Sequence, residues 1–168
     1  MTSEPRGTLR FLPVGLNVQG KSCLVVGGGG VGSRKALTLA RAGANVTVVS
    51  PSVSGELAEQ VETGRIRWLK DSFQPVHLQG AFLVVAATDD EALNAEVVRL
   101  ALRQSPLVCD ASSAQRSEVI FGALLSRGEV TVAVFTDGRD PAEARRTRNQ
   151  IADLLAEGRP SESRPESS

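Results

Sequence analysis

Apolar positions change period repeatedly along this chain. Cys23 to Val26 is a short apolar run that ends in four glycines, and from Val31 to Ala42 the residues Ala36, Leu39 and Ala40 recur at helical spacing before Gly43. Strand, turn and helix are predicted, with Gly43 capping the helix C-terminus. Val46 to Val49 is then a β-branched run suited to a buried parallel strand, completing a βαβ unit. Ser54 to Thr63 reads as a weaker helix, Ile66 to Leu69 as a strand, and Phe82 to Ala87 as a third strong apolar run. Thr88 to Glu91 fits a capping box that opens a helix with Leu93, Val97, Leu100 and Ala101 on one face, and Leu107 to Cys109 is the next strand. Strands alternating with helices predict an α/β fold with a mostly parallel sheet covered on both faces.

The pattern then changes. Val119 to Leu125 and Val130 to Phe135 are strand-like runs joined by Ser126 to Glu129, where Gly128 turns the chain into a hairpin. Asp140, Pro141 and Glu143 supply N-cap, N1 and N3 of a last helix, with Ile151, Leu154 and Leu155 as its apolar stripe. A hairpin plus one helix is too small to enclose a core, so its apolar face is expected to pair with a second subunit. The organisation expected is therefore a disordered N-terminus at 1–10, a dinucleotide-binding domain at 11–113, a dimerisation region at 114–156 and a disordered tail at 157–168. No internal repeat is evident.

Composition narrows the partners. Lys plus Arg and Asp plus Glu are balanced at 19 each, so no broad basic field exists to capture nucleic acid or an anionic membrane. Neither a charged leader with an apolar core nor a run approaching the roughly 18 residues of a membrane span is present, and a cytoplasmic protein acting on a small molecule is expected. Cys23 and Cys109 lie in apolar runs and read as buried thiols rather than a disulfide. His77, the only histidine, sits in a polar segment without Cys or His at ligand spacing; it reads as a surface residue, and no bound metal is expected.

Gly27-Gly28-Gly29-Gly30-Val31-Gly32 satisfies G-x-G-x-x-G between a strand and a helix. Gly27 permits the tight turn, Gly29 lets backbone amides approach a pyrophosphate, and Gly32 lets helix and strand pack closely, while the helix N-terminus adds its positive dipole end. This context makes the sheet Rossmann-type. The acidic residue that usually ends the second strand and holds the ribose is missing, because Ser50, Pro51 and Ser52 stand there. No Arg is present to receive a 2′-phosphate either, so NAD is expected, with the hydroxyls and backbone amides of Ser50 and Ser52 as ribose contacts.

Leu12-Pro13-Val14-Gly15-Leu16-Asn17, Gly20-Lys21, VVGGGGVGSRKA, GANVTVVSP, LVVAATDDEALN at 83–94 and VTVAVFTDGRDPAEARR at 130–146 together resemble the precorrin-2 dehydrogenase family, found alone or at the N-terminus of siroheme synthases. The resemblance covers about residues 11–155. It implies a Rossmann domain, a small dimerisation region and a helical domain, and oxidation of precorrin-2 to sirohydrochlorin with NAD; some members also insert ferrous iron. It further implies that Gly30 and Val31 contact the cofactor phosphates and that Pro51 and Ser52 contact its ribose. Thr88 and Asp89 would border the nicotinamide and substrate cleft.

The chain departs from that family in two places. An Asp of the family's N-V-x-D-D/A-P segment falls on Ser112, and the chain stops where the helical domain is expected to begin. Asp110, just after the fifth strand, is the replacement acid/base candidate, the alternative being an Asp that caps the following turn. Arg34 and Lys35, like the cluster at Arg139, Arg145, Arg146 and Arg148, read first as a solvated face. A polycarboxylate substrate nevertheless needs cations, which makes Arg116 and Arg139 its candidate contacts. Thr136 and Asp137 occupy positions where the family has a small hydroxyl residue and glycine, and Asp137 would make that pocket more acidic. Two functions follow: dehydrogenation of precorrin-2 without iron insertion, or a non-catalytic NAD-binding sensor or accessory subunit.

Overall fold

The computed structural model describes residues 9–53, 55–104 and 107–157. Its packing divides into one unit spanning Val14–Ile120 and another formed by Met1–Pro13 and Phe121–Ser168. Most of both termini expected to be disordered, residues 1–8 and 158–168, lies outside the described residues, as does Ser54, where the second helix was expected to begin.

In the first unit five strands form one parallel sheet in the order β3-β2-β1-β4-β5. They are β1 (Ser22–Val26), β2 (Asn45–Val49), β3 (Arg67–Leu69), β4 (Leu83–Ala86) and β5 (Leu107–Asp110). β1 and β4 occupy the centre because Cys23 to Val26 and Leu83 to Ala86 are buried without interruption, as a strand covered on both faces must be. β3 carries exposed Arg67 and forms an edge.

Helices α1 (Gly30–Arg41), α2 (Gly55–Glu62) and α3 (Glu91–Ala101) connect the strands. α1 buries Gly32, Ala36 and Leu39, and Gly43 follows it at φ +85°, the left-handed conformation expected of a C-terminal glycine. α3 lays Val97, Val98 and Ala101 on Leu24, Val84 and Val108 of the sheet. The expected capping box does not form, and a single N-cap bond stands two residues further on. The Asp90 carboxylate accepts the Leu93 N–H at 3.0 Å and makes Asp90 the N-cap, because the Thr88 hydroxyl is engaged by Asn94 instead.

Residues 114–120, read from the sequence as the start of the dimerisation region, cluster with the sheet. The N–H groups of Glu118 and Val119 both donate to the Val108 carbonyl, at 2.8 and 3.0 Å. The next strand accordingly starts at Ala123 rather than Val119.

The second unit pairs β6 (Ala123–Arg127) with β7 (Val130–Val134) antiparallel across Gly128-Glu129, with Gly128 at φ +58°. α4 (Pro141–Glu157) packs on both strands, and Asp140 caps it by accepting the Glu143 N–H at 2.8 Å. Arg148 Nη1 donates to the Leu124 carbonyl at 3.0 Å, and the Arg127 guanidinium donates to the Leu155 carbonyl. Leu124, Val130, Leu154 and Leu155 remain exposed.

Candidate cofactor and active site

Strand order reverses between β1 and β4, and the crevice at the carboxyl ends of such strands is where open α/β sheets place ligands. The glycine turn leads out of it. Gly27 sits at φ +116°, and a Cβ there would stand 2.3 Å from the Ala87 carbonyl oxygen. A Cβ on Gly32 would stand 2.1 Å from the Gly27 carbonyl oxygen. These two glycines are required by the fold itself. Gly28 belongs with them, since its Cβ would meet the Ser52 carbonyl oxygen at 2.3 Å; the sequence motif assigns no role to that position.

Gly29 and Gly30 differ. A Cβ on either would meet nothing within 4 Å, so the chain's own packing leaves this side of the turn open. Gly29 is the N-cap of α1 in extended conformation, makes no side-chain cap bond, and no acidic residue enters the first turn. Uncapped amides at a helix N-terminus, beside a glycine cradle that a side chain would fill, fit a diphosphate. Exposed Val31 lies in the same turn, and the Ser33 hydroxyl donates to the Gly28 carbonyl at 3.2 Å. Of the two basic residues behind it, Arg34 is exposed, whereas burial holds the Lys35 ammonium below its usual range.

At the end of β2 the three expected ribose contacts separate. Ser50 is buried, its hydroxyl donates to the Ser52 carbonyl at 2.8 Å, and its own carbonyl accepts the Trp68 indole N–H at 2.9 Å. Ser50 thus braces the loop that rests on Gly28, and its hydroxyl proton is committed there. Pro51 and Ser52 are exposed.

The ends of β4 and β5 are tied together by a polar network. Asn94, only 1% exposed although it lies on the packed face of α3, uses its whole carboxamide. Its Oδ1 accepts the Thr88 N–H at 3.0 Å and the Thr88 hydroxyl at 2.7 Å, while Nδ2 donates to the Thr88 carbonyl at 3.0 Å and to Ser112 Oγ at 3.2 Å. Ser112 in turn donates its hydroxyl to Asp110 Oδ1 at 2.6 Å, and its N–H reaches the same oxygen at 2.9 Å. Arg116 Nε donates to Asp110 Oδ2 at 2.6 Å and Nη2 to Glu91 at 3.2 Å. Below the turn, Ser117 Oγ accepts the Asp110 N–H at 2.9 Å. Asp89, beside Thr88, is exposed.

The Asp110 side chain has no exposed surface. Burial pushes its carboxyl up, but the bonds from Ser112 and Arg116 outweigh that and hold it below the ordinary carboxylate range. It is therefore an ionised acceptor that reaches the cleft through Ser112 and Arg116, and its Oδ1 holds the turn that follows it. Arg116 keeps 31% of its side chain exposed and has donors on Nη1 left for a ligand.

Arg139 belongs to the second unit, where it is exposed and lies 3.5 Å from Asp137. Asp137 adopts φ +57°, and its carboxylate accepts the N–H groups of Arg10 and Phe11. Rather than acidifying a pocket, Asp137 fixes the backbone of residues 10 and 11. His77 is not a surface residue. Its side chain is 11% exposed, and Nδ1 accepts the Gln74 N–H at 3.0 Å to cap a short 3-10 turn. Both cysteines are free and buried, with their thiols pushed up to about 11 by burial. Among the described residues no cluster of three His, Cys, Asp or Glu is arranged to hold a metal ion, and no helix is long and apolar enough to cross a membrane.

Residues 14–123 match the family described as "Putative NAD(P)-binding". The solved structure of SirC, precorrin-2 dehydrogenase, superposes with a TM-score of 0.74 at 32% identity, over 86% of this chain and 71% of SirC. This chain belongs to the precorrin-2 dehydrogenase family. Siroheme synthases of Photorhabdus laumondii and Methylobacillus flagellatus are 39% and 40% identical over 86% and 88% of the chain. The chain spans 31% and 32% of the length of those two relatives. For a member of the precorrin-2 dehydrogenase family with an NAD(P)-binding match across the whole sheet, the cofactor is a nicotinamide dinucleotide, and the open side of Gly29 and Gly30 is the place on this chain that fits its diphosphate.

Proposed function

We propose that this chain dehydrogenates precorrin-2 to sirohydrochlorin with NAD as the oxidant. The observation that carries the reading is the pairing of an uncapped, glycine-open helix N-terminus with a cation, Arg116, anchored at the ends of the neighbouring strands. The α1 amides and Gly30 hold the diphosphate, and the loop at Pro51 and Ser52 meets the ribose. That loop carries no Arg to receive a 2′-phosphate, which supports NAD over NADP. Thr88 and Asp89 border the nicotinamide, which when bound supplies the acceptor for the hydride leaving a macrocycle C–H bond.

One hydride and one proton leave the macrocycle, so NAD⁺ and precorrin-2 become NADH, sirohydrochlorin and H⁺. The chain's work is placement of two ring systems and neutralisation of substrate carboxylates, the latter by Arg116. Because Asp110 is held ionised by Arg116 and is shielded from solvent, it anchors the substrate-facing turn, and water takes the proton.

That same engagement of Asp110, with Ser112 at the family's usual Asp position, favours a second reading, an NAD-binding module without turnover. Anaerobic incubation of the purified chain with precorrin-2 and NAD separates the two. Sirohydrochlorin absorbance rising together with NADH is expected; stoichiometric NAD binding with no NADH formed would leave only the module.

We also propose that the second unit is a homodimer interface. Leu124 and Val130 on the hairpin and Leu154 and Leu155 on α4 are exposed apolar groups on elements too small to hold a core alone. Analytical ultracentrifugation is expected to give a dimer at micromolar concentration that Leu154→Glu dissociates. A monomer at every concentration would remove the interface.

A further inference from the structure

Asn94 is the least expected polar group in the fold. It interrupts the packed face of α3 next to Val97 and Val98, where a leucine would serve packing better. A buried carboxamide is tolerated only if fully bonded, and here both lone pairs of Oδ1 and both hydrogens of Nδ2 are engaged. Three of those four bonds hold one residue, Thr88, by its N–H, hydroxyl and carbonyl. The fourth reaches Ser112, whose hydroxyl points on to Asp110 and so to Arg116. Glu91, three residues earlier on the same helix, holds the other arm of Arg116.

We propose that Asn94 is a positioning residue that couples the nicotinamide side of the cleft, at Thr88, to the substrate-carboxylate anchor, at Arg116. The proposal rests on the dehydrogenase reading above for the identity of the two ligands. The linkage itself runs through neutral and ionised groups in one direction: Asn94 fixes Ser112, Ser112 fixes one oxygen of Asp110, and the other oxygen orients the guanidinium. Loss of any link lets the two ends of the cleft settle independently. Misalignment of the two rings then lowers turnover more than it lowers cofactor binding.

The test is a double-mutant cycle on the full chain with Asn94→Asp, which keeps both acceptor bonds to Thr88 and loses both donors, and Ser112→Ala, which removes the hydroxyl that joins Asn94 to Asp110 and also accepts from Arg116 Nη2, while leaving every Asn94–Thr88 bond in place. Each single variant is expected to lower kcat by roughly threefold to thirtyfold, the range of coupling carried by such networks. NAD affinity, followed by fluorescence of the single Trp68 beside the Ser50 loop, stays within about twofold of wild type, since RT is about 0.6 kcal/mol and no diphosphate contact is altered. The double variant is expected to be no slower than the worse single one.

Multiplicative losses overturn the coupling, as does a fall in melting temperature with kcat unchanged, which would mark a purely structural asparagine. If Asn94→Asp does not fold, Ser112→Ala and Arg116→Gln form the cycle, with the same criterion. A second readout needs no turnover: the affinity for sirohydrochlorin, read from its own absorbance, falls in Ser112→Ala and Arg116→Gln alike, and unequal responses overturn the linkage. Absence of turnover in the wild-type chain would strike the dehydrogenase reading, while this binding comparison still decides the linkage.

Discussion

Gly29→Asp is expected to abolish nicotinamide-dinucleotide binding while leaving the fold intact or slightly more stable. The reason lies in what surrounds Gly29. Its φ of −74° and ψ of −177° suit any residue, a Cβ meets nothing within 4 Å, and it is the N-cap of α1. Aspartate is among the best N-cap residues, where its carboxylate takes the amides of the first turn and exceeds glycine by a few tenths of a kcal/mol. Those are the amides the diphosphate needs. Beyond occupying them, the new charge repels the two phosphates: at about 4 Å and an effective dielectric of about 20, each like-charge pair costs about 4 kcal/mol. Trp68 fluorescence titration with NAD is therefore expected to show an affinity lowered by at least roughly 100-fold, about 2.7 kcal/mol, with an unaltered circular dichroism spectrum.

The matched variant is Gly32→Ala. Its Cβ would meet the Gly27 carbonyl oxygen at 2.1 Å, a contact with backbone that no side-chain movement relieves, so α1 must shift from β1. Overpacking of this kind costs about 1–3 kcal/mol or more, and a lower melting temperature is expected even without cofactor. Gly29→Asp binding NAD normally would remove the cradle from the site.

The motif that announces this turn was legible because its glycines and the flanking periodicities are local properties. So were the five parallel strands, the Gly43 and Asp140 caps and the hairpin at Gly128. What stayed hidden depends on contacts between distant segments. Gly28 looks like a free position in G-x-G-x-x-G until the Ser50 to Ser52 loop is seen to rest on it. Asn94 reads as one more polar residue of a helix, since nothing local says that Ser112 lies across from it. Thr88 was misread as a cap for the same reason: its hydroxyl bonds Asn94, six residues on, and leaves the capping to Asp90. Asp137 is a further case, a left-handed non-glycine residue whose carboxylate is aimed at amides more than a hundred residues earlier. Only the third dimension supplies such partners.

Asp110→Asn is expected to lower turnover by roughly 100-fold and to leave NAD affinity unchanged, because the substitution spoils the alignment of the cleft rather than the diphosphate cradle. Either orientation of the amide fails. With Nδ2 toward Arg116, donor faces the Nε–H donor; with Nδ2 toward Ser112, donor faces the Ser112 N–H. Arg116 therefore loses its seat or the turn loses its hydrogen bond. The native carboxyl is held below its usual range, so its pairing adds stability that is complete above the ordinary carboxylate pKa and is lost as pH falls through the lowered native value. Unfolding curves of wild type and variant should accordingly be farthest apart near neutral pH and draw together in acid. Comparison with Arg116→Gln distinguishes an anchor from a base. If Asp110 acts by holding Arg116, the two single variants are equally slow and their combination is no slower; if the carboxylate also takes a proton, the double variant is slower than Arg116→Gln alone. Unchanged turnover in Asp110→Asn would take the whole β5 turn out of the mechanism.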